Sequence, residues 1–148
     1  MSVEENKVIA RRFGEDVWGK GDLDAVDELF AHGFVDHRAF PGQAPGPEGQ
    51  KQNVVMTRSA FPDLRITNED IIAKGDKVVL RWTGHGTHRG ELMGIAPTGN
   101  HVEMGAMDLF RVAGGKIAEA WSNVDVMTMM RQLGAIPTPE RSREAGPT

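Results

Sequence analysis

The sequence predicts an α+β fold: N-terminal helices packed on a strongly curved, mostly antiparallel sheet that encloses a pocket. Three observations lead there. Up to Phe61 the apolar residues recur at helical spacing, whereas from Asp63 the period falls towards two, with turn residues between successive runs. Helices followed by hairpin-linked strands is α+β order, because the helices must cover one face of a sheet built from sequence neighbours. The chain has 148 residues, 39% of them hydrophobic, and no cysteine, so one core forms without disulfide staples and is large enough to hold a cavity.

The elements follow in order. Ser2-Val-Glu-Glu5 has capping-box form, and Ile9, Phe13 and Val17 behind it repeat at four-residue spacing, which makes an amphipathic first helix. Gly19-Lys-Gly-Asp22 breaks it. Asp22 caps a second helix whose stripe is Leu23, Val26, Leu29 and Phe30 and which ends near His32-Gly33. After Phe34-Val-Asp-His37 and a Pro/Gly-rich loop, Pro47 suits the first turn of a third helix that runs to about Phe61. Strands are expected at Leu64–Ala73, Lys77–His88, His101–Val112 and Ile117–Val124. Lys74-Gly-Asp76 and Ala113-Gly-Gly115 are short enough for hairpins, and Arg89–Asn100 is a longer connection. Val126–Gln132 reads as a last helix stopped at Gly134. Residues 1–134 thus form one domain, and Ala135–Thr148, with three prolines, is expected to be a mobile tail.

Composition narrows the function classes. A net charge of −4 with no long Lys/Arg run offers no footprint for nucleic acid or for an anionic membrane surface. The start, Met1-Ser-Val-Glu-Glu-Asn-Lys7, lacks the basic and apolar regions of a secretory signal, and no run reaches the ~18 apolar residues of a membrane span. A cytoplasmic location is the expectation. Without cysteine there is no thiolate zinc site, iron–sulfur cluster or cysteine nucleophile. No phosphate-binding glycine loop, G-x-S-x-G elbow or kinase signature is present.

Asp108 is the sharpest chemical signal, because it shares a strand face with Val102, Met104, Ala106, Phe110 and Val112. Burial among apolar residues raises a carboxyl pKa unless a donor holds the charge, which makes a general acid; an Asp at an edge or mouth that meets water is the other reading. A two-residue turn at Gly114-Gly115 sets Asp108 opposite Trp121 and Ala106 opposite Asn123, so all three site candidates share a face; a one-residue slip sends Trp121 and Asn123 to the other side. Asp125 closes the set or caps the last helix. His37, just before the Pro/Gly-rich loop, is placed to look into a cavity as a general base, or to sit in a surface turn. His85-x-x-His88 is a poor metal pair, since strand residues three apart point to opposite faces. Arg81, Thr83 and His85 share one face and could supply polar contacts, whereas Leu80 and Trp82 on the other look like packing. The eight methionines fit an adaptable core or a dimer interface.

Taken together, Glu5-Asn-Lys7 with Arg11-Arg-Phe13, Gly21-Asp-Leu-Asp-Ala-Val26, Phe34-Val-Asp-His37, Ala60-Phe-Pro-Asp-Leu64, Val79-x-Arg-Trp-Thr83, Gly86-Thr-His88, Pro97-Thr-Gly99 and Gly115-Lys-Ile-Ala-Glu-Ala-Trp121 resemble the SnoaL-like polyketide cyclases of the nuclear-transport-factor-2-like superfamily. The resemblance spans about residues 4–134. It implies a cone-shaped α+β fold and an intramolecular aldol ring closure in a polyketide ester, driven by an acidic residue and needing no cofactor. In the related ketosteroid isomerases a pocket Asp lies on the strand before a Gly-Lys hairpin, with an Arg three residues on; Asp108, Arg111 and Gly115-Lys116 match that pattern. Their base Asp falls where this chain has His37. Their first-helix tyrosine has no counterpart, Phe13 being nearest, which disfavours a steroid isomerase.

The resulting expectation is cofactor-independent proton abstraction α to a carbonyl of a hydrophobic or aromatic small molecule. Asp108, His37 and Asp125 are the candidate acid/base groups, and Trp121, Asn123, Phe13, Arg81 and His85 the candidate substrate contacts. A homodimer is expected. The rival readings are a binding protein without catalysis and a dimerisation module on the same fold.

Overall fold

The computed structural model describes residues 2–137; the tail expected from Ala135 onward lies, from residue 138, outside the described residues. Helix α1 (Val3–Arg12) begins at the capping box, in which the Ser2 hydroxyl accepts the Glu5 N–H and Glu5 reaches back to the Ser2 N–H. The chain then widens into a π-helical segment, Phe13–Trp18, a form that proteins use mostly in single turns and often at functional sites. Gly14 lets this segment lie against the sheet: a Cβ there would come within 2.0 Å of Asn68 Oδ1. Asp22 caps α2 (Leu23–Leu29) by accepting the Asp24 and Ala25 N–H groups. Helix α3 (Pro47–Ala60) starts at a proline, as its sequence indicates.

The second helix does not reach His32-Gly33. Phe30–Asp36 is a strand, β1, because its backbone pairs in parallel with a strand from the far end of the chain. No local pattern announces a parallel partner so distant. Strands β2 (Arg65–Lys74), β3 (Lys77–Thr87), β4 (His101–Ala113) and β5 (Lys116–Val124) follow, then α4 (Val126–Gln132). The sheet order is β1-β5-β4-β3-β2, antiparallel except for the β1/β5 pair. Among the described residues no helix is long and apolar enough to cross a membrane.

The helices cover one face of the sheet. Phe13, Val17, Val26, Phe30, Leu80, Phe110 and Ile117 belong to the main core, and Phe61, Leu92, Val102, Met129 and Leu133 to a second cluster beneath α4. Trp18, Ile66 and Met104 pack against both clusters and bridge them. His88 is fully buried in the Arg89–Asn100 connection's anchor, where its Nδ1 accepts the Thr98 N–H at 3.1 Å.

The hairpin turn at Gly114-Gly115 forms as expected, with Ala113 paired to Lys116 and Val112 to Ile117. The pairing beyond it does not. A bulge shifts the register between Val112 and Arg111, so Arg111 faces Glu119 and Asp108 faces Ser122, while Trp121 pairs with Leu109 and Asn123 with Met107. One extra residue, Ala118, reverses the side to which the rest of β5 points.

Candidate functional site

Asp108 lies on the helix-covered face and is 3% exposed. Trp82, one strand over on that face, donates its Nε1–H to Asp108 Oδ2 at 2.7 Å, and the Ser122 hydroxyl donates to Oδ1. Burial drives the Asp108 pKa up, the two donors oppose it by favouring the charged form, and the negative charge of Asp36 adds to the rise. Asp36 closes β1 beside Ala120, which is itself opposite Phe110, so Asp36 shares the face of Asp108. Its carboxylate accepts from the Arg38 N–H and from Gln43 Nε2, and Gln43 in turn accepts from Asn53 of α3.

A polar row therefore crosses this face on a diagonal, with Asp36 on β1, Ser122 on β5, Asp108 on β4 and Trp82 on β3; Ser122 and Asp108 are directly opposite, whereas Asp36 is level with Ala120 and Trp82 with Ala106. With strands about 4.8 Å apart and a two-residue offset along them, the two carboxylate-bearing backbones are roughly 12 Å apart, with Ser122 on the strand between. Asp36 and Ser122 are half-buried, unlike Asp108. Two carboxyls in unlike surroundings, one sealed and one half-buried, divide naturally into an acid and a base.

Phe13, expected as a substrate contact, stays on this face but is core, packing edge-on against Phe110 with ring centroids 4.8 Å apart. The other candidates lie elsewhere. His37 is on the outer face of the sheet, stacked on Trp121 at 4.5 Å and bonded to Glu119 at 2.9 Å, so neither joins Asp108. Glu119 also accepts from Arg111, and these two partners hold its pKa below the usual range. Arg81 is exposed and paired to Asp70, and His85 is paired to Glu103, both on the outer face. Asp125 caps α4, accepting from the Thr128 N–H and hydroxyl, which lowers its pKa. Arg81, Asn123 and Asp125 do meet, in a cleft of about 440 Å³ that Thr83, Gly105, Met107 and the Asp108 partner Trp82 also line, though Asp108 itself does not. Among the described residues no three His, Asp or Glu side chains are grouped to hold a metal ion.

Ser122, Trp82 and Asp36 are the site members that sequence reasoning missed. Trp82 reads as packing because its ring is apolar, and Ser122 appears only when the bulge is known. Asp36 was legible in one respect: it precedes His37 and so takes the opposite face of the strand.

The SnoaL-like polyketide cyclase family matches residues 8–133. The aklanonic acid methyl ester cyclase DauD of Streptomyces sp. (strain C5) is 29% identical over 143 residues, covering 94% of this chain and 88% of its own length. The nogalonic acid methyl ester cyclase of Streptomyces nogalater is 28% identical over 116 residues, or 77% and 87% of the two chains. Among solved structures, TsrD from Streptomyces laurentii superposes with a TM-score of 0.84 at 26% identity, covering 92% of this chain and 99% of its own.

Proposed function

From the premise that this chain belongs to the SnoaL-like polyketide cyclase family, we propose that it closes a ring in a hydrophobic or aromatic polyketide ester by intramolecular aldol condensation, with no cofactor. The single observation that carries this reading is the sealed Asp108 carboxyl, held by two donors, in a row with the half-buried Asp36. The Asp36 carboxylate takes a proton α to a carbonyl. The resulting enolate carbon attacks a second carbonyl of the same chain, and the acid on Asp108 supplies the proton that the new alkoxide needs. Positioned proton transfers contribute about 10²–10⁴-fold each, and confinement of both reacting carbons in one molecule supplies much of the rest. His37, on the other face, stands outside this pair.

The test is incubation with aklanonic and nogalonic acid methyl esters, the compounds for which two relatives are named, followed by chromatography. Ring-closed product supports the reading. Tight binding with no product would instead make the chain a carrier of such molecules.

The outer sheet face is the surface we assign to a second copy of the chain. Val35 and Met107 are exposed there beside the stacked His37–Trp121 pair, and the charges around them, Arg111 with Glu119 and Arg81 with Asp70, are balanced in sign. A face that carries both signs can match itself about a twofold axis. Met107→Glu, which sets an unpaired charge in the middle of that face, is expected to turn a dimer into a monomer in light scattering. A wild-type monomer at micromolar concentration refutes the assignment.

A further inference from the structure

We infer that the Ser122 hydroxyl is the relay through which Asp108 exchanges its proton with the substrate. This rests on the acid/base role proposed for Asp108 and adds a second group to it.

The argument is an accounting of donors and acceptors. The indole N–H of Trp82 can only donate, and it occupies Asp108 Oδ2 at 2.7 Å. A neutral Asp108 therefore carries its proton on Oδ1. Oδ1 faces the Ser122 hydroxyl, which both donates and accepts. Ser122 can thus reverse its bond as Asp108 changes charge, whereas Trp82 cannot.

Access points the same way. Asp108 is 3% exposed, and its flanking residues on β4, Ala106 and Phe110, are buried as well. Ser122 is half-buried and lies between Asp108 and Asp36 in the polar row. A substrate that meets the Asp36 carboxylate has Ser122, rather than Asp108, as its next polar neighbour across the sheet.

The step balances. The O–H bond at Asp108 Oδ1 breaks as one forms at Ser122 Oγ, while the original Ser122 O–H bond breaks and its proton passes to the alkoxide oxygen of the aldol product. Asp108 ends ionised, stabilised by both donors, and Ser122 ends unchanged. In the reverse sense the same pair accepts a proton.

Three variants test this with the two ester probes, alongside 13C NMR titration of the Asp108 carboxyl in labelled protein. Ser122→Ala is expected to lower kcat by about 10²-fold or more with KM nearly constant. Ser122→Thr, which keeps the hydroxyl, should restore kcat to within about fivefold. The NMR midpoint of Asp108 should rise in Ser122→Ala, because a donor to the charged form is gone. Ser122→Ala with near wild-type kcat, while Asp108→Asn is inactive, overturns the relay and leaves Asp108 as the direct acid. Asp108→Asn with wild-type kcat overturns the acid/base reading and the relay with it. An unmoved Asp108 midpoint in Ser122→Ala overturns the relay independently of any turnover.

Discussion

Asp108→Asn is expected to lower turnover of a cyclisable ester by about 10²–10⁴-fold, the worth of a positioned proton donor, while leaving the fold intact. Asn matches the shape of a neutral Asp. Its carbonyl can accept the Trp82 N–H and its amide can donate to the Ser122 hydroxyl, so the two bonds to the side chain persist. The same variant should also stand apart in stability. Burial raises the Asp108 pKa above the ordinary carboxylate range, so the folded chain holds a proton that the unfolded chain gives up sooner. That contribution is complete below the unfolded pKa and is lost as pH rises through the folded one. Asn loses nothing over this window. The Tm of Asp108→Asn relative to wild type should therefore climb, by a few degrees, as pH rises from the ordinary carboxylate pKa of ~4, read by calorimetry. A difference that stays flat as pH rises would mean that Asp108 is charged in the fold and is no general acid.

Phe110→Ala is expected to cost about 3–5 kcal/mol, measured by urea unfolding, out of a total stability of about twice that for a domain of this size. Phe110 is fully buried, two residues from Asp108 on the same face, and its ring meets Phe13 at 62° and 4.8 Å. Removing it deletes apolar contacts and leaves a void that rigid β4 and the π-helical segment cannot collapse to fill. The measurement also reports on the site. A loss below about 1 kcal/mol would show that the ring borders open space rather than packed side chains, and so that a cavity already reaches the floor of the polar row.

Much of this was legible from local signals. The Ser2–Glu5 capping box, the Asp22 cap, Pro47 at a helix start, the two glycine hairpins and the last helix at Val126–Gln132 all follow from short-range chemistry, and all form as expected. The alternation along β4 placed Asp108 among apolar residues for the same reason, since side-chain direction in a strand depends on parity alone. Strand β1 was not legible, because a short stretch after a helix becomes a strand only by pairing with β5 from the other end of the chain. His37 was misplaced with it.

By itself, then, the sequence determined the α+β order of elements, the inward aim of Asp108 and the family resemblance. The tertiary structure decided which residues surround that carboxyl. A single bulge at Arg111/Val112 turned Trp121 and Asn123 outward and Ser122 inward, and the parallel docking of β1 brought Asp36 to the same face. The physical reason is that parity is inherited along a strand but not across it. One extra residue costs little locally, yet it reassigns every side chain beyond it, and only the paired neighbour records where it falls.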